Sequence, residues 1–552
     1  MPLPFRHSGV RPWCAAALVL TAAWQPLPAQ PAPVAMVRAS IAAAYTAAAK
    51  PAPATDNRRS TSKRRRSAKS VTSKSATAKN AAAKSSPAAG GALKYTAPHG
   101  SSQLALDLAN ILDRASRGGA WGVSVVSLDY GDTLFSRNAD RQLLPASTMK
   151  LFTSSVALDR LGPDYRFNTE VLREGAIGSD GQLRGNLVLR GAGDPSFSRR
   201  FVDGNSGETP IDQIAHLVAS AGVKKISGDV IGDATAFEDR LIPEGWRSRY
   251  LGAHYAARVS ALSINENLLT VKVKPNGNNA TISFEPALSG IPVVNNVKVV
   301  AGRGARIGVK QSESGLEIRG SVGAAGRGGE VQVVMEEPAL ITTAAFQAAL
   351  EAHGIVVGGN VRLAKAGAGA PRVATLPSAP LSELVTTMNG ESNNHFAELL
   401  FRNAARSVGV VGSAENANVL LRRFLWEKAK VEPTDVYAAD GSGLSTADRV
   451  TPRAMVQLLG YANKAPWRDV LESSLPVAGR TETLRRRMKY TPAMGNLRAK
   501  TGTTNDVASL GGYVTARDGE LLAFSFIYNG NDRWRAKEAM DAMGATLANY
   551  QR

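Results

Sequence analysis

Residues 145–150 read Pro-Ala-Ser-Thr-Met-Lys and place Ser147 three positions before Lys150. Three positions are about one helical turn, so both side chains leave the same face of a helix that starts here. A lysine that is screened from water, or that lies near another cation, can be neutral and accept the proton of a nearby hydroxyl. The pattern therefore predicts an activated serine, although an isolated S-x-x-K is more often a helix cap beside a solvated cation.

Two further polar clusters follow along the chain. Ser392 and Asn394 lie in a break between two helical patterns, where a hydroxyl and a carboxamide can project into a cleft. The other cluster follows an alternating stretch, where an edge strand can receive a carboxylate and a glycine lets a ligand approach the backbone. It consists of Lys500, Thr501, Gly502 and Thr503. Each cluster alone is weak evidence, but S-x-x-K, S-x-N and K-T-G in this order are a strong signal.

In this order the motifs resemble the penicillin-binding protein and serine β-lactamase superfamily, and in particular its D-alanyl-D-alanine carboxypeptidase/endopeptidase branch. Further matches are Asp-Gly-Ser-Gly-Leu-Ser at 440–445, Gly-Asp-Pro-Ser-Phe at 193–197 and Gly-Asp at 232–233. Ser147 and Ser392 are 245 residues apart, which leaves room for the large insertion of this branch. In class A β-lactamases the two motifs are much closer, with a deacylating glutamate between them that has no counterpart placed here. The resemblance covers residues from about 100 to the C-terminus.

The resemblance implies a role for each matching residue. Ser147 would attack the carbonyl of the penultimate D-alanine, Lys150 would take its proton, and Ser392 would relay a proton to the leaving amine. Asn394 would bind the substrate amide. The backbone N–H groups of Ser147 and Thr503 would form the oxyanion hole. The terminal carboxylate of the substrate would be held at the strand edge by Lys500, Thr501, Gly502 and Thr503.

Two positions bear on the diamino acid of the substrate. The resemblance implies that Asp233, in the predicted insertion, helps to hold the amino end of that side chain; a plain turn aspartate is the alternative. The family commonly has an arginine after Gly-Leu-Ser that can meet a substrate carboxylate, but this chain has Thr446 there. Arg449 lies close enough in sequence to compensate. Without such compensation, a preference for a free diaminopimelate carboxylate is not expected.

The pattern and the resemblance together predict an α+β fold. We expect a penicillin-binding protein/β-lactamase-like transpeptidase domain, an antiparallel sheet flanked by helices, interrupted by a large β-rich insertion. The insertion is predicted from short apolar runs that Gly, Asn and Pro separate. The expected division is a first catalytic segment at residues 101–165, the insertion at 166–340 and a second catalytic segment at 341–552.

The N-terminus has the pattern of an export signal over residues 1–29. Arg6 and Arg11 precede an apolar run that is too short to span a bilayer comfortably, and small residues follow it. An uncleaved signal anchor is the alternative. The only cysteine, Cys14, lies inside this run, so no disulfide within the chain is possible. The signal predicts a periplasmic or otherwise extracytoplasmic protein.

The net charge of +20 is concentrated near the N-terminus. Residues 1–100 contain fifteen Lys and Arg against one acidic residue, whereas the remaining residues contain 51 against 45. Residues 30–100 have almost no large apolar side chains, so we expect a disordered basic segment. Its function is either a solvated spacer or a tether to an anionic envelope polymer or membrane surface. Nucleic-acid binding conflicts with export and is not expected.

These observations predict an exported penicillin-binding serine D-Ala-D-Ala carboxypeptidase that also acts as a DD-endopeptidase. Its partners would be peptidoglycan stem peptides, with β-lactam antibiotics as covalent inhibitors. The six histidines form no H-E-x-x-H pair, so neither a metal nor an organic cofactor is expected. The alternatives are a serine β-lactamase and a non-catalytic peptidoglycan-binding protein. A Ser-His-Asp hydrolase is disfavoured because no serine lies in a G-x-S-x-G motif.

Overall fold

The computed structural model describes residues 92–115, 118–312 and 315–552. The predicted export signal and the basic segment up to residue 91 lie outside the described residues. No helix in the described part of the chain is long and apolar enough to cross a bilayer.

The end of the basic segment is ordered, which corrects the prediction of disorder for residues 92–100. Leu93 packs against the apolar core of the catalytic domain. The Thr96 N–H donates to the hydroxyl of Thr546 (3.1 Å), and the Gly100 N–H donates to the carbonyl of Gln551 (2.9 Å). One apolar side chain and these backbone hydrogen bonds fix a stretch whose composition alone predicts disorder.

The described residues form twenty strands and ten α-helices. The strands are β1 (Ala120–Ser127), β2 (Thr133–Arg137), β3 (Asn168–Ile177), β4 (Gln182–Arg190), β5 (Lys225–Ile226), β6 (Val230–Asp233), β7 (Leu268–Asn276), β8 (Asn279–Glu285), β9 (Val293–Val300), β10 (Ala305–Ser312), β11 (Gly315–Gly323), β12 (Gly329–Val334), β13 (Val356–Val357), β14 (Val361–Leu363), β15 (Arg372–Pro377), β16 (Val436–Tyr437), β17 (Arg449–Val450), β18 (Arg498–Thr503), β19 (Val507–Thr515) and β20 (Leu521–Asn529). The helices are α1 (Ser101–Asp113), α2 (Met149–Leu161), α3 (Pro210–Ser220), α4 (Pro338–Ala352), α5 (Leu381–Glu391), α6 (Asn394–Arg406), α7 (Ala414–Phe424), α8 (Pro452–Ala462), α9 (Arg468–Ser473) and α10 (Arg533–Ala548).

The two predicted catalytic segments form one domain on a five-stranded antiparallel sheet in the order β18-β19-β20-β1-β2. Strand β20 alternates between two cores: Phe524 and Phe526 pack with α1 and α10, whereas Ala523 lies in the core that includes α2 and α8. Helices therefore cover both faces of the sheet, and nearly every side chain of β19 and β20 is buried. The predicted α+β architecture is confirmed.

A second group of sheets forms the insertion. Strands β3–β6 and β13–β15 make a seven-stranded mixed sheet, and the remaining strands of this region form two three-stranded sheets, β12-β7-β8 and β10-β11-β9. The mixed sheet extends past the expected boundary at residue 340, because β15 pairs with β3. Helix α4 also packs in the insertion core, through Phe346 and Leu350. We therefore place the end of the insertion near residue 377; helical periodicity alone could not show which core α4 covers.

Candidate active site

Ser147 lies in a 3₁₀ turn, Ala146–Thr148, that leads directly into α2. The Pro145 carbonyl accepts hydrogen bonds from the Thr148 hydroxyl (2.8 Å) and from the Ser509 hydroxyl of β19 (2.6 Å). Ala146 has a φ of 47°, in the left-handed region that a residue with a Cβ rarely adopts. The serine is thus presented by a strained turn that is tied to the central sheet.

The edge strand β18 passes against this turn. A Cβ on Gly502 would lie 2.1 Å from the Ser509 hydroxyl, 2.8 Å from the Pro145 carbonyl oxygen and 3.0 Å from the Ser147 backbone nitrogen. Only glycine lets the two backbones approach this closely. The K-T-G strand and the S-x-x-K turn therefore form one contiguous surface.

Lys150 lies beneath Ser147 and is completely buried. Its Nζ is 3.1 Å from the Ser147 hydroxyl oxygen, and it donates to Asn394 Oδ1 (2.7 Å) and to the Ser442 carbonyl (2.7 Å). Burial lowers the pKa of Lys150 to about 8, against the opposing effect of buried carboxylates, Asp440 first among them. A substantial neutral fraction at physiological pH makes this amine a competent proton acceptor for the serine.

The second motif reaches the same place from the turn between α5 and α6. Asn394 uses its Oδ1 for Lys150 and donates one amide hydrogen to the Tyr255 carbonyl of the insertion (2.8 Å). Because a carboxamide has two such hydrogens, one is left for a substrate carbonyl. Ser392 has a left-handed backbone, φ 61° and ψ 39°, at the C-terminus of α5. Its hydroxyl accepts a hydrogen bond from Lys500 Nζ (2.9 Å).

Lys500 is the second fully buried amine of the site. It also donates to the Thr501 carbonyl (3.0 Å), and the Thr501 hydroxyl contacts that of Thr483 (3.0 Å). Burial, and then the charge of Lys150, lower the pKa of Lys500 well below its usual range. A bound carboxylate would favour the protonated form of Lys500, because an opposite charge in a dry site stabilises the ion.

Comparison with known proteins shows the family of the chain. Residues 104–550 match the model of the D-Ala-D-Ala carboxypeptidase 3 (S13) family. The chain belongs to this family. It is 34% identical over 470 residues to the D-alanyl-D-alanine carboxypeptidase of an Actinomadura species, covering 81% of this chain and 85% of the relative. The enzyme is therefore a serine carboxypeptidase, as predicted.

Two comparisons with Haemophilus influenzae proteins place the fold. Its D-alanyl-D-alanine carboxypeptidase DacB is 26% identical over 436 residues, covering 77% of this chain and 88% of that one. The crystal structure of penicillin binding protein 4 from the same organism has a TM-score of 0.66 at 24% identity, covering 78% and 98% of the two chains. A second structure of that protein is a complex with a β-lactam (TM-score 0.63, 25% identity, 79% and 98% covered).

Beneath Lys150 of this carboxypeptidase is a loop that the sequence indicated only by resemblance. The Asp440 carboxylate accepts hydrogen bonds from the backbone N–H groups of Ser442 (3.0 Å), Gly443 (2.6 Å) and Ser445 (2.8 Å). These bonds bend the glycine-rich loop so that the Ser442 carbonyl points at Lys150 Nζ. The loop thus supplies one of the acceptors that hold the lysine amine in place.

Two more buried carboxyl groups support the same loop. Glu398 accepts from the Gly441 N–H (3.1 Å) and pairs with buried Arg402 (2.8 Å). Asp448 accepts from the backbone of Ala439 (2.9 Å). Burial, and then the charge of Asp440, raise the pKa of Glu398 to about 7 and that of Asp448 well above its usual range. Neither group has a recognisable motif of its own, so sequence reasoning missed both.

Asp233 is not brought to this cluster by any contact of the described residues. Its carboxylate accepts hydrogen bonds from Thr235, through the backbone N–H (2.9 Å) and the hydroxyl (2.7 Å), and from the Ala366 N–H (3.0 Å). These contacts are those of a turn aspartate inside the insertion, where β6 pairs with β4 and β14. Arg449 donates to the carbonyls of Thr446 (3.0 Å) and Asp448 (2.6 Å), so its guanidinium is engaged within its own loop.

Thr503 ends β18 and is exposed, in register with Ala508 of β19. The site therefore brings together the predicted residues Ser147, Lys150, Ser392, Asn394 and Lys500, with the rest of the K-T-G strand along its edge. Chemically, it brings together two serine hydroxyls, two buried amines and a carboxamide. This set is suited to acyl transfer from an amide.

Proposed function

We propose that this chain hydrolyses the D-Ala-D-Ala bond of peptidoglycan stem peptides through an acyl-enzyme on Ser147. The observation that carries the proposal is the buried Lys150 Nζ, 3.1 Å from the Ser147 hydroxyl, with a pKa of about 8. Ser147 needs no general base other than this amine, because burial lowers the pKa of Lys150 enough to make its neutral form accessible. The family relationship supports the substrate class.

Acylation begins when neutral Lys150 accepts the hydroxyl proton of Ser147. The Ser147 oxygen then forms a bond to the carbonyl carbon of the penultimate D-alanine, and negative charge develops on the carbonyl oxygen. The backbone N–H groups of Ser147 and Thr503 are assigned to stabilise this oxyanion. Such donors contribute roughly 3–4 kcal/mol each to transition-state stabilisation.

Collapse of the tetrahedral intermediate breaks the C–N bond. The leaving amine of the terminal D-alanine takes a proton, which we assign to a relay through the Ser392 hydroxyl. Protonated Lys500 and Thr501 hold the terminal carboxylate, while Asn394 binds the amide of the retained acyl part. Water then hydrolyses the ester, restoring the Ser147 hydroxyl and releasing the shortened peptide.

The proposal is tested by labelled penicillin. We expect one covalent adduct, and peptide mass spectrometry should map it to Ser147. A Ser147→Ala variant is the matched control and should remain unlabelled at the same protein concentration. Absence of an adduct, or an adduct on another serine of the wild-type protein, contradicts the assignment.

The rate of deacylation separates a carboxypeptidase from a serine β-lactamase. The neighbour from H. influenzae is described in complex with a β-lactam, and we propose that β-lactams act on this chain as slowly released covalent inhibitors. A chromogenic cephalosporin should therefore give a stoichiometric burst followed by slow turnover. Rapid steady-state turnover would instead favour a β-lactamase.

We also propose that the enzyme is exported and cleaves peptide cross-links as a DD-endopeptidase. The export proposal rests on the apolar pattern of residues 1–29, and the endopeptidase proposal on the family resemblance. Purified muropeptides distinguish the two activities. Uncross-linked pentapeptides report release of terminal D-alanine, and cross-linked dimers report conversion to monomers; unchanged dimers would limit the function to carboxypeptidase activity.

A further inference from the structure

The insertion contains a strained turn that faces the active site. Three consecutive residues, Asn265, Glu266 and Asn267, have positive φ angles of 50°, 59° and 58°. A left-handed conformation costs roughly 1–2 kcal/mol for a residue such as Glu266, whereas asparagine adopts it more readily. Such strain persists only where the surrounding structure determines it strongly, and it is found most often at functional sites.

Both flanking asparagines are held firmly. The Asn265 Oδ1 accepts from the Arg199 N–H (2.8 Å). The fully buried Asn267 donates through Nδ2 to the Arg258 carbonyl (2.8 Å) and to the Ser263 hydroxyl (3.1 Å). The turn is therefore fixed at both ends, and the residue between them projects toward the catalytic domain.

That residue, Glu266, joins the insertion to the S-x-N turn. One carboxylate oxygen pairs with Arg200 Nε (2.6 Å), and the other accepts from Asn393 Nδ2 (2.8 Å). Arg200 in turn donates through Nη1 to both carboxylate oxygens of Glu391 (2.8 Å each). The residues immediately before and after Ser392 are thus both bound by the pair Arg200 and Glu266.

We propose that Arg200 and Glu266 are positioning residues for the carboxypeptidase reaction. They fix the left-handed backbone of Ser392 so that its hydroxyl meets Lys500, and they orient the start of α6 so that Asn394 meets Lys150. The inference rests on the proposed roles of Ser392 and Asn394. Neither positioning residue touches the nucleophile; they act through the two residues that flank Ser392.

Because these side chains are partly exposed, an effect on the reaction rate can be distinguished from an effect on stability. The side chains of Arg200 and Glu391 are each 42% exposed, and that of Glu266 is 18% exposed. Ion pairs at such exposure contribute little to the free energy of unfolding. Displacement of a catalytic group by about 1 Å, in contrast, can reduce a rate by up to about a hundredfold. A positioning role therefore predicts a large change in rate with a small change in Tm.

The test compares Arg200→Ala and Glu266→Ala with Arg199→Ala. Arg199 is adjacent, belongs to the same 3₁₀ turn and pairs through its side chain with Glu285 of β8, inside the insertion. Stopped-flow labelling with a fluorescent penicillin gives the acylation rate constant and the dissociation constant separately. We expect acylation to fall by roughly tenfold or more in the first two variants, with Tm within about 2 °C of wild type. Arg199→Ala should retain the wild-type rate.

Glu266→Gln provides the conservative variant. Its amide oxygen can still accept from Asn393, but it lacks the charge that binds Arg200, so its acylation rate should lie between those of Glu266→Ala and wild type. Wild-type rates in Arg200→Ala and Glu266→Ala, or equal losses in Arg199→Ala, would overturn the inference. If wild-type protein is labelled at Ser147 but the variants react normally, only the positioning role fails; absence of wild-type labelling removes the proposed function itself.

Discussion

At the scale of single residues, the site depends on two neighbouring buried amines, those of Lys150 and Lys500. Lys150 contacts Ser147 and Asn394, whereas Lys500 contacts Ser392, so the two lysines serve different hydroxyls. Burial disfavours the charged form of both lysines, and the charge of Lys150 further disfavours that of Lys500. Binding of the substrate carboxylate at Lys500 would therefore leave Lys150 as the amine that remains neutral and accepts a proton.

This arrangement predicts how acylation depends on pH. Lys150 acts only in its neutral form, and its pKa is lowered to about 8, so the neutral fraction rises as pH rises through that value. The second-order rate constant for acylation by penicillin should increase from pH 6 to about 8 as Lys150 loses its proton. At higher pH the loss of the Lys500 proton, whose pKa is also lowered, should oppose any further gain. Stopped-flow measurements across this range provide the test. A rate that is constant from pH 6 to 9 would contradict the role of Lys150.

The matched pair of variants for this prediction is Lys150→Met and Lys489→Met. Removal of a general base typically reduces a rate by about 10²–10⁴-fold, and Lys150→Met should also lose the pH dependence. Lys489 is exposed, so its replacement controls for the loss of one positive charge and should leave both rate and profile unchanged.

The motifs predicted the reactive side chains of the site, but not all of the groups that position those side chains. Ser147, Lys150, Ser392, Asn394 and Lys500 were predictable because each belongs to a short motif with a fixed spacing. The Tyr255 carbonyl and the Glu266 carboxylate were not, because they reach the site through long-range contacts and belong to no motif. Asp233 is the opposite case: a matching dipeptide gives a functional expectation, which stays a prediction, and the hydrogen bonds of its carboxylate are those of a turn aspartate.

At the scale of elements, close backbone contacts join the serine turn, Ala146–Thr148, to the glycine-rich loop and to β18. Gly443 of the glycine-rich loop has a φ of 82°, and a Cβ there would lie 1.9 Å from the Ala146 carbonyl oxygen. Gly502 makes the corresponding approach from β18. Two elements from the C-terminal part of the chain thus pack closely against the serine turn, and each does so at a glycine.

Gly443→Ala should therefore damage catalysis more than backbone strain alone would. Gly131 is the matched control, with a φ of 79° and open space around its Cβ position. Both substitutions incur the left-handed penalty of about 1–2 kcal/mol, but only Gly443→Ala displaces the Ala146 carbonyl beside Ser147. We expect a lower Tm in both variants and slower acylation in Gly443→Ala alone. Equal acylation rates in the two would show that this contact does not position the serine.

The extent of the insertion was the least predictable property of the elements. Short strands and turns predicted its β-rich character correctly. Helix α4 and strand β15 were assigned to the catalytic domain, because periodicity shows that a helix has a buried face but not which core covers it. Only the pairing of β15 with β3, from distant parts of the chain, reveals where the insertion ends.

At the scale of the whole molecule, the excess positive charge is concentrated in the N-terminal hundred residues. Residues 57–84 contain ten cationic residues and no acidic one. Deletion of this segment should weaken retention by isolated cell envelopes, most clearly at low salt, where screening is weakest. The kcat on a soluble peptide should not change. Retention and kcat are measured on the same preparations.

A length-matched variant with the ten cations replaced by glutamine controls for the loss of chain length. It should behave like the deletion if charge is responsible. Retention of the glutamine variant at the wild-type level would assign the effect to length, and a large loss of kcat would show that the segment takes part in catalysis.

The pairing of β1 with β20 has a consequence for how the molecule is made. The two strands are neighbours in the sheet but are separated by about 400 residues of sequence, which takes about 20–80 s to synthesise at typical rates of translation. During that interval β1 has no neighbour on one side, and an unpaired strand edge invites aggregation. Ser147 is likewise synthesised long before β18 and β19 can pack against its turn. The site can therefore assemble only after the last strands, β18 to β20, have been synthesised.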